Sequence, residues 1–153
     1  MAIEAPLSRY KRNNLKIYMV VCILAALWFG YDGYVNKKFI EEHADEQGNA
    51  NSTLVFNRVA GPVLAGGALL LVAYFYAIRG RKVVAEDHEL VVAGKGKIPY
   101  DAIEKIDKTY YDKKGFFTVT YKDGQGKEVQ EKLNDRSYDN LGAILDHLIA
   151  QIT

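Results

Sequence analysis

Three histidines, one cysteine and a short glycine–lysine run are the residues of this 153-residue chain whose types could do chemistry. His43 stands among Glu41, Glu42, Asp45 and Glu46. An imidazole beside carboxylates can ligate a divalent cation, but one histidine among flexible acidic residues reads as a solvated face. His88 falls in the polar stretch Glu86-Asp87-His88-Glu89, and His147 flanks an apolar stripe near the C-terminus. Gly94-Lys95-Gly96-Lys97 has the composition of a phosphate-cradling turn, yet it lacks the full G-x-x-x-x-G-K-[ST] pattern and the helix that should follow. Cys22 is the sole cysteine, so neither a disulfide nor a paired-thiolate metal site can form within the chain. No nucleophile, base and orienting group converge in the sequence. The expectation is a protein that is not an enzyme, with no catalytic residues, no metal and no cofactor.

Two other residue sets suit binding. Lys95, Lys97, Lys113 and Lys114 lie in turn-like segments, where they could contact an anionic headgroup or a partner. Their field is weak, because residues 79–153 carry thirteen basic and thirteen acidic side chains. The whole chain is as balanced, with 20 Lys plus Arg against 19 Asp plus Glu, so nucleic acid is not an expected partner. Tyr110, Tyr111, Phe116, Phe117 and Tyr121 alternate along strand-like segments. About half must face a core, leaving the others for a protein partner.

These residues depend on two long apolar runs for their placement. Val59 to Ile78 contains no charged residue, and a helix of that length covers a hydrocarbon core of roughly 30 Å. Leu15 to Tyr34 is the weaker run, with Lys16 able to snorkel and Asp32 at headgroup depth. A cleaved secretory signal is its competing reading. The sequence after it, Trp28 to Tyr34, has no A-x-A context and resembles an interfacial aromatic belt, which favours a retained span. Arg9, Lys11, Arg12 and Lys16 precede the first span, and Arg79, Arg81 and Lys82 follow the second. Both termini are therefore expected in the cytoplasm, and the protein in the cell's inner membrane. The boundaries are a cytoplasmic segment at 1–14, spans at 15–35 and 57–79, an external loop at 36–56 and a cytoplasmic domain at 80–153.

Small residues should let the spans pack closely. Ala26 and Gly30 form a small-xxx-small pair on the first, Gly61 and Ala65 on the second, at matching depth in an antiparallel hairpin. Asp32 and Arg58 then come to similar height and could form an ion pair, or each be hydrated separately. In the external loop, Val35 to His43 could extend the first helix, and Asn51-Ser52-Thr53 matches a glycosylation acceptor that would matter only in a eukaryotic lumen.

From Lys82 the pattern turns to short strands. Val83 to Ala85 and Leu90 to Ala93 read as a hairpin, Asp101 to Ile106 as a helical turn, and Asp107 to Tyr111 as a strand. Phe116 to Lys122 alternates most clearly, and Asp123-Gly124-Gln125-Gly126 turns it back into Glu128 to Leu133. Tyr138, Leu141, Ile144, Leu145, Leu148, Ile149 and Ile152 recur at helical spacing, with Ser137 or Asp135 expected as cap. About six strands closed by one amphipathic helix result.

The run Ile98-Pro99-Tyr100 with Ile103 and Ile106, the Lys114-Gly115 turn before a long strand, and the final helix together resemble the bacterial pleckstrin-homology-like domain that follows paired membrane spans. The resemblance covers the last half of the chain. It implies an α+β fold: an N-terminal transmembrane hairpin, then a small antiparallel β-barrel or sheet capped by a C-terminal helix. It also implies scaffolding or recognition. The expected function is an accessory subunit joining a membrane assembly or a homo-oligomer, the alternative being a module that binds anionic lipid headgroups or a small anion.

Overall fold

The computed structural model describes residues 2–152 and divides the chain into two units. One combines Met1–Arg12 with Ile78–Thr153, and the other is Asn13–Ala77.

The second unit is helical. Helix α1 (Arg9–Tyr34) begins in the first unit and contributes most of its length here, followed by α2 (Lys37–Glu42) and α3 (Ser52–Ile78). Both α1 and α3 are long and apolar enough to cross a membrane, and only 6% and 17% of their most apolar stretches are buried. Leu27, Trp28, Leu69 and Leu70 are all more than 60% exposed. A core helix of a water-soluble protein hides such residues, whereas a helix in lipid displays them.

The expected helical continuation through Val35 to His43 is interrupted. α1 stops at Tyr34, and Asn36 starts α2 by accepting a hydrogen bond from the Phe39 amide on its side-chain oxygen (3.3 Å). Beyond α2, Asp45 gathers the Gln47 amide (2.9 Å), the Asn49 amide (2.7 Å) and the Asn49 side-chain amide (3.0 Å). These donors, the Asn49 side chain foremost, hold its carboxyl below the usual range. Asn51 then caps α3 by accepting from the Leu54 amide at 3.0 Å.

The first unit contains seven described strands. Strands β1 (Ile3–Pro6), β2 (Lys82–Ala85), β3 (Glu89–Val92) and β4 (Gly96–Pro99) form one antiparallel sheet in that order. Strands β5 (Ile103–Asp107), β6 (Phe116–Lys122) and β7 (Glu128–Asn134) form another. A barrel was one form the sequence allowed, but these are two open sheets. The reason lies at Pro99, the last residue of β4, after which Tyr100–Ala102 make a 3-10 turn and the chain leaves the first ladder. That turn and β5 replace the helical turn and strand expected at 101–106 and 107–111. A four-residue helix, α4 (Tyr111–Lys114), ends on Gly115 at φ 67°, where any Cβ would also collide with the Asp135 carboxylate.

Helix α5 (Leu141–Ile152) presents Leu141, Ile144, Leu145 and Leu148 to the core. They meet Ala5, Val83, Leu90, Ile98, Phe117, Val119 and Leu133 from both sheets. α5 begins later than expected. Asn140, at φ 64°, precedes it, so neither Ser137 nor Asp135 stands at the cap position, and the Ser137 carbonyl instead accepts the Ser8 amide at 2.9 Å.

The strand that sequence reading missed is β1. It lies within residues 1–14, which had no place in the sheet, yet Ile3, Glu4, Ala5 and Pro6 pair in register with Ala85, Val84, Val83 and Lys82. Ala5 is fully buried and Leu7 nearly so. Pro6 disguises the strand, but proline is tolerated at a sheet edge. The connection after β7 covers that edge: Asp139 N–H donates to the Pro6 carbonyl (2.9 Å) and Asn140 Nδ2 to the Glu4 carbonyl (3.1 Å).

Candidate interaction surfaces

Within the helical unit, the backbones of α1 and α3 come close at Gly30 and Gly61. A Cβ on Gly61 would lie 3.0 Å from the Gly30 nitrogen, 3.1 Å from its Cα and 3.4 Å from the Ala26 carbonyl oxygen. One contact was not anticipated. Gly33 is buried against the backbone of Asn57 and Arg58, whose atoms a Cβ at this position would meet at 3.0–3.2 Å. Phe29 meets Phe56 edge-on with centroids 5.5 Å apart. Beside this seam, Ala26, Gly30, Gly61, Pro62, Ala65 and Leu69 help line an apolar groove of about 500 Å³.

The Asp32–Arg58 ion pair does not form. Asp32 accepts from Asn36 Nδ2 at 2.9 Å, while Arg58 Nε donates to the Gly33 carbonyl at 3.0 Å. The close approach at Gly33 explains the switch, because it brings a backbone acceptor within reach of the guanidinium. Tyr34 adds a hydrogen bond from its hydroxyl to the Arg58 carbonyl (2.9 Å). His43 is occupied locally, stacked on Phe39 with Nδ1 2.9 Å from the Phe39 carbonyl.

In the sheet unit, the four candidate lysines separate into two groups. Lys95 Nζ is 2.8 Å from Glu131, and Lys97 is paired with Glu89. Those carboxylates raise both ammonium pKa values. Lys113 and Lys114 close α4 and have no carboxylate partner among the described residues. Lys114 Nζ instead sits 4.7 Å from the Tyr110 ring centre.

Of the five aromatic candidates, Phe116, Phe117 and Tyr121 lie on β6, whereas Tyr110 precedes α4 and Tyr111 begins it. Phe117 is fully buried, and Tyr111 and Tyr121 pack on the same core. Tyr111 meets Phe117 at 5.7 Å. Tyr110 and Phe116 remain outside, stacked at 5.6 Å with 25° between their planes. Lys132, not singled out from the sequence, places its ammonium 3.6 Å over Phe116. Register explains this: Lys132 pairs with Thr118, two residues from Phe116 on the same face of β6.

His147 is tied to the turn between β2 and β3, its Nε2 3.3 Å from the Glu86 carbonyl and its ring 6.2 Å from Tyr100. The Tyr100 hydroxyl donates to that same carbonyl at 2.6 Å. Burial, then Asp87 and Glu86, push the Tyr100 phenol up. Among the described residues, no group of three or more His, Cys, Asp or Glu side chains is arranged to hold a metal ion.

Ser8 is the other residue whose role the sequence hid. It is fully buried and caps α1, its Oγ accepting from the Lys11 amide (3.1 Å) and donating to the Arg136 carbonyl. Asp139, 130 residues away in sequence, accepts the Arg9 amide at 3.1 Å. A serine before Arg-Tyr-Lys-Arg is a recognisable cap signal, but its distant partners are not legible locally. No protein-family model matches the chain, and neither comparison with characterised proteins nor comparison with solved structures finds a match.

Proposed function

We propose that the chain is a non-catalytic, membrane-anchored interaction subunit. Its two apolar helices cross the inner membrane as a hairpin, and its sheet domain, which we read as pleckstrin-homology-like, is the cytoplasmic module that engages a protein of a larger assembly. One observation carries this reading. The strand before the first apolar helix pairs in register with the strand after the second. That pairing supports placing both ends of the hairpin on one side of the bilayer, as do the arginine and lysine clusters at Arg9–Lys16 and Arg79–Lys82.

The exposed apolar flanks of α1 and α3 support residence in lipid. Two antiparallel sheets closed by an amphipathic helix support the domain reading. The groove beside the Gly30–Gly61 seam gives a partner helix a place to approach, since small residues admit close backbone contact.

The test is crosslinking in native membranes, followed by purification in mild detergent and mass spectrometry. A reproducible protein partner, or a second copy, is the expected outcome. A lone monomer with no crosslinked product would overturn the proposal.

A further inference from the structure

We propose that Tyr110, Phe116, Lys113, Lys114 and Lys132 form a membrane-apposing surface that rests on the anionic headgroups of the bilayer crossed by α1 and α3. This inference rests on reading those helices as spans.

Composition provides the first support. Two aromatic rings stack on one another, and each has an ammonium over it: Lys114 over Tyr110 and Lys132 over Phe116. Lys82, Lys95, Lys97 and Lys122 are held by carboxylates, whereas Lys113, Lys114 and Lys132 have no such partner among the described residues. Of the acids flanking these residues in sequence, Asp135 packs on Gly115 and Asp107 accepts the Thr109 amide at 3.0 Å. Rings with amphipathic cations suit a headgroup layer, which is apolar on one side and wet on the other.

Position provides the second. Phe116 pairs with Asn134 at one end of the β6–β7 ladder, and Asp135 N–H donates to the Gly115 carbonyl at 2.9 Å. One residue on, the Arg136 carbonyl accepts the Ser8 hydroxyl that caps α1. Leu7 N–H donates to the Arg81 carbonyl at 3.0 Å, so the chain returning from α3 re-joins the sheet unit at the same end. Asn134 to Arg136 is two residues, a reach of about 7 Å at most. The patch therefore lies at the end of the sheet unit that holds Leu7, Ser8 and Arg81, the residues that lead into and out of the helical segment by chain connectivity. An acidic protein would satisfy the same charges, but the polypeptide itself links this domain to helices held in the bilayer, which keeps the lipid surface at high effective concentration.

The test uses the full chain in nanodiscs of phosphatidylcholine alone, of equal phosphatidylcholine and phosphatidylglycerol, and of native membrane, read by amide hydrogen exchange over residues 108–118. At about 1 kcal/mol per lysine near an anionic surface, protection should rise at least about fivefold in the anionic discs. It should fall back at high salt and in the triple variant Lys113→Glu, Lys114→Glu, Lys132→Glu. If that variant folds poorly, the corresponding glutamine changes and the salt series on the unaltered chain decide. Equal exchange in the two lipids overturns the inference. So does protection seen only in discs made from native membranes, which would give the surface to a protein. A chain that does not insert into either disc refutes the membrane reading itself, so the two failures are distinguishable.

Discussion

Glycines 30 and 61 face each other, yet they are not equivalent. A methyl on Gly61 meets the Gly30 backbone at 3.0–3.1 Å, whereas a methyl on Gly30 meets nothing within 4 Å. Gly61→Ala is expected to destabilise the helical pair by about 1–3 kcal/mol through overpacking against backbone that cannot yield. Gly30→Ala should be near neutral. Reversible unfolding of both variants in mixed detergent micelles separates the two, and equal effects would contradict the asymmetry. Ser8 offers a similar contrast in the sheet unit. Its buried hydroxyl caps a helix and also satisfies the Arg136 carbonyl, so Ser8→Ala should cost about 1–2 kcal/mol. Thermal unfolding should show the loss, with Ser8→Thr closer to the unaltered protein. The sequence indicated Gly30 and Gly61 by type and spacing. It did not indicate Gly33 or Lys132, because a helix–helix crossing and a strand register select those.

Among the elements, β1 carries the most consequence. Deleting residues 2–7 uncovers the backbone edge of β2 and removes buried Ala5 and Leu7. The expected result is a sheet domain cleaved rapidly in limited proteolysis while α1 and α3 still insert. Survival of a protease-resistant domain would show that β2–β4 suffice. The same element makes a fragment starting at Arg81 an incomplete domain, so binding studies belong on the full chain. Alkali probes the packing of the turns and the C-terminal segment. Burial raises the phenol pKa values of Tyr100, Tyr111 and Tyr138 above the ordinary 10.0. The folded protein then holds protons that the unfolded chain has already released. Their contribution is fully present below pH 10.0 and is lost as pH rises through the folded values. A circular-dichroism melt series should show stability falling above about pH 10. No change before backbone damage begins would refute this.

For the whole molecule, the pairing of β1 with β2 constrains topology more tightly than hydropathy does. On the proposed reading, in which α1 and α3 cross a bilayer, helices inserted between neighbouring strands of one sheet enter and leave on the same side. Reporters fused at the N-terminus and the C-terminus are therefore expected to read the same compartment, with the protein retained in membranes after carbonate washing. Opposite compartments, or release into the wash, would break the reading that the anchoring proposal depends on.

What the sequence determined by itself was local and periodic. Uncharged length marked α1 and α3, alternation marked β6, glycine-rich turns marked the β6–β7 hairpin, and 3.6-residue spacing marked the core face of α5. Those signals are printed in neighbouring residues. Tertiary structure decided the rest. It divided the strands between two open sheets, fastened residues 3–6 to a partner some 80 positions later, gave Arg58 a backbone acceptor in place of Asp32, and sorted five aromatics into three that pack on the core and two outside it. Each of these depends on groups far apart in the chain being brought within hydrogen-bonding or van der Waals range, and no local pattern records that meeting.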